Sequence, residues 1–265
     1  METRAARLGL GVWTVLVVLF LWVPLAIILL YAFNSSNIQS WPIPGFTTHW
    51  FSVAWNDPDA RDAFWLSVKA ALAATAIAIV LGTMASFALA RFRFFGREAI
   101  SFILILPIAL PGVITGIALR SFYSFGGVQY SLWTIVIGHA TFCIVIVFNN
   151  VIARLRRAGT SLTEASMDLG ADGWQTFRYV TFPVLSTALI SGALLAFALS
   201  FDEVIVTTFT AGAQNTLPIW IFGKLRQGQQ LPEVNAVVFV VITLTVIPVW
   251  IAQRLTRDTG ILRRR

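Results

Sequence analysis

The chain has 265 residues, of which 57% are hydrophobic and 12% are charged, and its formal net charge at pH 7 is +7. A soluble domain carries about 25% charged residues, and a chain of this length has too little interior to hide so much apolar surface. The composition therefore excludes an ordinary soluble enzyme and a disordered protein, and it indicates a membrane protein. The single cysteine excludes an internal disulfide bond and a cysteine-based zinc cage.

Six long apolar runs predict membrane-spanning helices. A helix needs roughly 20 apolar residues to cross a hydrocarbon core about 30 Å thick, and lipid offers no hydrogen-bond partner to an open strand. The predicted spans are about 8–33, 64–90, 100–119, 132–152, 184–208 and 234–251. The sequence thus predicts an all-α integral membrane protein in which residues 1–265 form a single transmembrane domain.

The first and third spans carry features that bear on how they cross the membrane. The first is too long for the core of a signal peptide, and we expect it to be retained as a helix. The third contains Pro107 and Pro111, which lack backbone N–H donors, so we expect this helix to be kinked or broken. Such a break either lines a pathway or serves packing, and the sequence favours neither.

The distribution of basic residues predicts the orientation of the chain. Basic residues concentrate on the cytoplasmic side of bacterial membrane proteins. With a cytoplasmic N-terminus, 14 of the 19 lysines and arginines lie inside. These are Arg4, Arg7, Arg91, Arg93, Arg97, Arg154, Arg156, Arg157, Arg178, Arg254, Arg257, Arg263, Arg264 and Arg265. The net positive charge is therefore a topology signal with both termini cytoplasmic, and no basic folded domain indicates nucleic-acid binding.

The inner loop after the fourth span, residues 153–183, has the pattern of a short ordered helix. Ser161 and Glu164 have the spacing of a capping box, so we expect a helix to begin at Ser161. Gly170 suits the left-handed residue that ends a helix, and Asp172 offers a second N-cap. An apolar stripe at helical spacing is formed by Leu162, Ala165 and Leu169. The predicted helix has the size to fill a groove in another protein.

This loop resembles the EAA loop of the permease subunits of binding-protein-dependent ABC importers. The family pattern is Glu-Ala-Ala, three residues, Gly, nine residues and then Ile-x-Leu-Pro. The positions that match at this spacing are Glu164, Ala165, Gly170 and Pro183. The chain departs from the pattern at Ser166, Val180 and Phe182, which are small or apolar replacements.

The resemblance extends over most of the chain. The segments 106–112, 138–143, 166–171 and 199–206 read LPIALPG, GHATFC, SMDLGA and LSFDEVIV. They resemble the spermidine/putrescine-type permeases, and in particular the subunit often called the C component. Related permeases are assigned to polyamines, 4-aminobutyrate and other small solutes, so the resemblance implies a polyamine or a related amine or amino acid as the solute.

The resemblance also implies a fold, partners and a location. It implies a type I importer permease fold (MetI-like) with six transmembrane helices and a cytoplasmic EAA coupling helix, in a multi-pass protein of the bacterial inner membrane. The implied partners are an ABC ATPase dimer, a second and different permease chain, and an outer solute-binding protein. The chain has no Gly-x-x-x-x-Gly-Lys-Ser/Thr loop. We therefore expect no catalytic residues and no bound cofactor here, with ATP and Mg²⁺ used by the partner ATPase.

The resemblance assigns contact with the ATPase to the helix of the loop. The implied coupling residues are Glu164, Ala165, Ser166, Leu169, Gly170 and Ala171. Closure of the ATPase pair around ATP would move this helix and turn the pore between inward and outward access. Glu164 either meets a basic residue of the ATPase or only caps its own helix, and the sequence leaves both open.

Asp202 and Glu203 lie in the outer part of the predicted fifth span. A carboxylate near the bilayer centre costs roughly 2.5 kcal/mol or more, so such residues face cavities or partners. For a cationic solute, Asp202 is the first candidate path residue, followed by Glu203 and Thr207. Alternatively, the helix is already emerging into water and the carboxylates are only solvated. We expect His139 to be a hydrogen-bonded packing residue, because no ligand spacing around it indicates a metal.

Two other classes of function remain as alternatives at this point. An ion-coupled secondary transporter acting without an ATPase would show paired halves with corresponding broken helices. The third span is interrupted by prolines in LPIALPG without a matching sixth, and a long structured loop occurs in one half only. An intramembrane enzyme would need a catalytic motif inside the spans, and none is present.

Overall fold

A computed structural model describes residues 4–228 and 230–261. Every regular element in this part of the chain is a helix, apart from one isolated bridge between Asn34 and Phe46. The helices are α1 Arg4–Tyr31, α2 His49–Asn56, α3 Pro58–Arg91, α4 Arg97–Ala109, α5 Gly112–Phe125, α6 Leu132–Ala158, α7 Ser161–Asp168, α8 Gly173–Thr176, a π-helical turn Phe177–Thr181, α9 Phe182–Phe201, α10 Ile205–Thr210, α11 Leu217–Gln227 and α12 Leu231–Ile261. Three basic residues counted on the inner side, Arg263, Arg264 and Arg265, lie outside the described residues.

The predicted number of spans is only partly confirmed. Four described helices are long and apolar enough to cross a membrane, namely Ala6–Tyr31, Pro58–Arg91, Leu132–Ala158 and Gly173–Phe201. The bent pair Arg97–Ala109 and Gly112–Phe125 gives a fifth if it counts as one span. The sixth predicted span begins within α12, where the described apolar helix is the shorter segment Leu231–Ile247. Length and composition thus support four or five spans, not the six expected.

The third span is broken, as its prolines predict. Helices α4 and α5 meet at an angle of 105°. Leu110 is extended, with φ −82° and ψ 141°, and Pro111 is the N-cap of α5. A residue before proline is pushed out of the helical region by contact with the proline ring, which explains the end of α4 at Ala109.

The prediction of a continuous fifth span over 184–208 is wrong. Helix α9 ends at Phe201, residues 202–204 are not helical, and α10 begins at Ile205. The Glu203 carboxylate accepts a hydrogen bond of 2.9 Å from the Val206 backbone N–H. A side chain that satisfies a backbone donor in this way competes with the helix, which explains an interruption inside an apolar run.

By their contacts, the helices divide into two units. The first contains the described residues up to Arg61 together with Ile221–Ile251, and the second contains Asp62–Trp220 and the described residues from Ala252 onward. In the second unit, α6 packs extensively on α9 and α10 packs on α5. Its largest buried cluster includes Phe142, Val147 and Leu185.

Small residues let α3 approach α6 closely in the second unit. They recur every four residues on one face of α3 and are all buried: Ala70, Ala74, Ala78, Gly82 and Ser86. A methyl group at Gly82 would lie 2.8 Å from the Ile144 carbonyl oxygen, and Ser86 Oγ lies 3.1 Å from the Phe148 carbonyl oxygen. Such small-residue contacts drive helix association where lipid removes the hydrophobic driving force.

We predict that Gly82→Ala destabilises the second unit, because the added methyl group forces α3 away from the α6 backbone. Overpacking of this kind costs about 1–3 kcal/mol, which thermal unfolding of the purified protein in detergent would detect. The matched control is Gly223→Ala, since Gly223 is also helical and has no atom within 4 Å of the added carbon. Equal unfolding temperatures for the two variants would contradict the close approach.

The first unit contains a partly buried ion-pair cluster. Lys224 Nζ lies 3.1 Å from Asp57 Oδ2 and 3.0 Å from Glu233 Oε2, and the Glu233 side chain is almost fully buried. Asp57 also caps α3, because its Oδ1 accepts a hydrogen bond of 2.8 Å from the Asp59 backbone N–H. One lysine therefore holds together the start of α3, helix α11 and the start of α12.

The environment of this cluster favours the charged forms of Asp57 and Lys224. Burial raises the pKa of the Asp57 carboxyl, but the hydrogen bonds that it accepts outweigh burial and leave its pKa below the ordinary value. Burial lowers the pKa of the Lys224 ammonium, but its hydrogen bonds to Glu233 and Asp57 outweigh burial and raise its pKa above the ordinary value. Both groups thus contribute stability in their charged forms.

We predict that Lys224→Met destabilises the protein by about 3 kcal/mol, because it leaves a buried carboxylate without its cation. In the parent, charged Asp57 contributes to the free energy of unfolding at pH values above its ordinary pKa of about 3.9, and this stability is lost as the pH falls through its lower pKa in the folded state. Charged Lys224 contributes at pH values below its ordinary pKa of about 10.4, and this stability is lost as the pH rises through its higher pKa in the folded state. Unfolding in detergent across this pH range tests both statements, with the exposed Arg226→Met on the same helix as control.

Candidate functional site

The helix predicted in the loop 153–183 is present and begins at Ser161, as expected, but its cap differs from the prediction. Helix α7 runs from Ser161 to Asp168 with Thr160 as its N-cap, and no side chain caps it. The predicted capping box between Ser161 and Glu164 is therefore wrong, because Ser161 is already the first helical residue. Glu164 lies exposed in the first turn, where a negative charge is favourable. The structure thus does not support the alternative that Glu164 only caps its own helix.

The end of α7 confirms the predicted role of Gly170. Gly170 has φ +87°, its N–H donates to the Met167 carbonyl, and the Ala171 N–H donates to the Ser166 carbonyl. This pair of bonds is a Schellman motif, which requires a left-handed residue at the position of Gly170. The predicted second cap is also confirmed, because Asp172 and Gln175 form a reciprocal capping box at the start of α8.

Two contacts attach the loop to α3, and a third joins α7 to α8 within the loop. Arg91, the last residue of α3, donates from Nη2 to Thr163 Oγ1 at 3.0 Å. Ser166 Oγ lies 3.1 Å from the hydroxyl of Thr176 in α8, so the serine that replaces the family's alanine makes a hydrogen bond. The Phe177 ring of the π-helical turn lies 6.0 Å from the Phe87 ring of α3. The sequence did not predict these contacts.

The predicted apolar stripe of α7 is on the surface. Leu162 is 55% exposed, Leu169 is 89% exposed, and Ala165 is also exposed. We call these three residues the α7 apolar surface. Of the other predicted coupling residues, Glu164 and Gly170 are exposed, whereas Ser166 and Ala171 are half-buried. Helix α7 is thus held through the polar side chains of Thr163 and Ser166, while the α7 apolar surface faces outward.

The structure places the predicted path residues at the break between α9 and α10. Asp202 is the C-cap of α9 and is exposed, whereas Glu203 is half-buried and its carboxylate accepts the backbone N–H of Val206 in α10. Thr207 is fully buried, and its hydroxyl donates to the Glu203 carbonyl oxygen at 2.7 Å. Glu203 and Thr207 are therefore brought together, and Asp202 is the carboxylate that the break leaves on the surface.

His139 joins this site, and the prediction of a hydrogen-bonded packing residue is confirmed for it. The buried ring on α6 lies 2.7 Å from Ser200 Oγ through Nδ1 and 2.7 Å from Thr207 Oγ1 through Nε2. The sequence contains a pattern that could have indicated this contact, because Ser200 and Thr207 flank the Asp-Glu pair and His139 is an isolated polar residue in an apolar run.

Comparison with known proteins decides the family. Residues 78–260 match the family described as "Binding-protein-dependent transport system inner membrane component". The chain belongs to this family. It is 35% identical over 237 residues to the putrescine transport system permease protein PotI of Escherichia coli K12, covering 84% of this chain and 83% of that protein. It is 31% identical over 254 residues to the spermidine/putrescine permease PotC of the same organism, covering 95% of each.

A solved structure with the same fold covers nearly the whole chain. It is a crystal structure of a bacterial ABC transporter involved in the import of the acidic polysaccharide alginate. The TM-score is 0.64 at 19% identity, and the match covers 97% of this chain and 98% of that one. At this identity the likeness shows the fold alone, which is that of an ABC importer permease.

Family membership confirms the main functional prediction. The chain is a multi-pass inner membrane protein and a non-catalytic permease subunit of an ABC importer, in which ATP hydrolysis belongs to a separate subunit. This excludes the alternative of an ion-coupled transporter acting without an ATPase. The predicted likeness to the spermidine/putrescine-type permeases is also confirmed.

We predict that Gly170→Val impairs solute-stimulated ATP hydrolysis of the assembled transporter by about tenfold, while the amount inserted in the membrane is unchanged. A β-branched residue at a positive φ is strained, so the Schellman turn would open and α7 would lose its set position. Gly173→Val is the matched control, because both glycines have open space around an added carbon and only Gly170 has a positive φ. Parental ATP hydrolysis by Gly170→Val would contradict this role.

Proposed function

We propose that this chain forms one half of the pore of a polyamine importer. The second half is a different permease chain, an ATPase dimer binds the cytoplasmic side, and an outer binding protein delivers the solute. The solute proposal is supported by the names of the two relatives, a putrescine permease and a spermidine/putrescine permease. The basic residues flanking the spans support cytoplasmic termini and a cytoplasmic α7.

The α7 apolar surface is the observation that carries the coupling proposal. Leu162, Ala165 and Leu169 are exposed on a helix that is closed at its end and tethered by Arg91 and Ser166. An exposed apolar stripe on a short, rigid helix fits a groove in a partner protein. The proposed groove is on the ATPase, and Glu164 at the start of the helix is placed to meet a basic residue there.

The contacts of α7 determine which helices move with it. When the ATPase pair closes around ATP and Mg²⁺, α7 moves with its groove. Arg91 carries this displacement to α3, and the turn 177–181 carries it to α9, which follows without interruption. The proposed result is a change of pore access driven by the ATPase.

The break at 202–204 supports a site for a cationic solute. Polyamines carry ammonium groups, and a carboxylate in a water-lined path is their natural partner. Asp202 is the exposed carboxylate, so we assign it the direct contact with the solute. Glu203 is a second carboxylate next to Asp202, and it also accepts the backbone N–H of Val206 in α10. Thr207 is buried, so we assign it no direct contact with the solute and only a role in holding the break.

The test is uptake by the complete transporter in vesicles with ATP enclosed. We predict uptake of radiolabelled putrescine or spermidine that requires the ATPase and the binding protein, and a KM raised about tenfold by Asp202→Asn, because a charged hydrogen bond is worth roughly 1.5–3 kcal/mol. The exposed Asp62→Asn is the control for charge alone. Uptake of neither polyamine would overturn the solute proposal, and an unchanged KM would remove Asp202 from the path.

A further inference from the structure

A chain of hydrogen bonds runs from α9 through α6 to the backbone of the helix break. Ser200, near the end of α9, contacts His139 Nδ1, and Thr207 in α10 contacts His139 Nε2, each at 2.7 Å. Thr207 Oγ1 lies 2.7 Å from the carbonyl oxygen of Glu203, which is inside the break. Ser200, His139 and Thr207 are all buried.

The positions of the protons in this series of hydrogen bonds follow from the acceptor at its end, the Glu203 carbonyl oxygen. The Glu203 carbonyl oxygen only accepts, so the hydroxyl proton of Thr207 must point at it. Thr207 Oγ1 then has only lone pairs to offer, and His139 Nε2 must carry the proton that lies between them. Neutral histidine has one N–H, so Nδ1 is the acceptor and the Ser200 hydroxyl donates to it. His139 is thus the Nε2–H tautomer, and every group in the chain is satisfied.

The backbone around His139 is built to allow this contact. A methyl group at Gly138 would lie 3.1 Å from Val206 Cγ1 and 3.4 Å from Thr210 Cγ2, so any larger residue here would crowd α10 against α6. The hydrogen bonds join both sides of the break to one ring, and they fix the peptide between Glu203 and Val204, one residue after Asp202.

We propose that His139 is a positioning residue for solute translocation, which holds the break at 202–204 in the geometry that presents Asp202 to the solute. The proposal rests on the function proposed above, because it assigns a role to the path carboxylate. His139 acts through Thr207 and the Glu203 carbonyl and does not touch the solute.

The test is the KM for putrescine in the complete transporter, with Vmax and the amount of assembled complex measured in parallel. Thr207→Val replaces one hydroxyl by a methyl group, and His139→Phe removes both hydrogen bonds while keeping a ring. We expect each to raise the KM by about five- to tenfold, in line with the loss of a buried hydrogen bond. A purely structural role would lower the amount of complex and leave the KM unchanged.

Conservative variants sharpen this test. Thr207→Ser keeps the hydroxyl and His139→Gln keeps a donor in reach of Thr207, so both should stay within about threefold of the parental KM. The matched control is Thr210→Val, since Thr210 is also buried in α10 but its hydroxyl donates only to Val206 of its own helix. We expect the parental KM for this variant.

The outcomes separate this inference from the proposed function. If Asp202→Asn raises the KM but Thr207→Val and His139→Phe do not, the positioning role is wrong and the path assignment stands. If Asp202→Asn also leaves the KM unchanged, the path assignment fails and the positioning role fails with it. If His139→Phe does not assemble, Thr207→Val decides alone, because its change in shape is minimal.

Discussion

The structure depends on one constraint, which is that every backbone group freed by a helix break in an apolar environment must find a partner in the protein. The break in the fifth span meets this constraint with side chains. The Glu203 carboxylate accepts a hydrogen bond from the N–H of Val206, and the Thr207 hydroxyl donates one to the carbonyl oxygen of Glu203. His139 then satisfies Thr207 from the neighbouring helix. A break without these partners would cost several kcal/mol for each unsatisfied group.

The same constraint explains why the loop 153–183 is ordered. A chain that leaves one span and enters another must end one helix and start the next within a few residues. The Schellman motif at Gly170 closes α7, and the Asp172–Gln175 capping box opens α8 two residues later. Because the backbone groups are satisfied locally, the apolar side chains of α7 are not needed for folding of the loop. They remain exposed and free for another surface.

Local patterns in the sequence predicted the features that local physics controls. Apolar runs located the long helices, Pro111 predicted the break between α4 and α5, and Gly170 predicted the end of α7. Two features depend on distant partners and were missed. The first turn of α7 is held by Arg91, which contacts Thr163 from 72 residues away, and not by the local Ser161–Glu164 capping box that the sequence predicted. The break in the fifth span depends on His139, more than 60 residues from both of its partners.

Helix α9 is bound to α6 near both of its ends. These contacts link the loop that carries α7 to the break at 202–204. Near its start, Arg154 Nε of α6 donates to the Val184 carbonyl oxygen at 2.9 Å. Near its end, Cys143 Sγ lies 3.3 Å from the Ala196 carbonyl oxygen, and His139 holds Ser200. A 20-residue helix is about 30 Å long, and between these ties Gly192 packs against the α6 backbone at Val147.

A pair of helices fastened in this way moves as one body, since sliding either helix would break buried hydrogen bonds and close backbone contacts at several levels. The loop that carries α7 joins the C-terminal end of α6 to the start of α9, and the break that carries Asp202 follows the C-terminal end of α9. A displacement of α7 would therefore reach the break as a displacement of the whole pair. The proposed coupling thus needs no flexible connection between the α7 apolar surface and Asp202, the proposed solute contact.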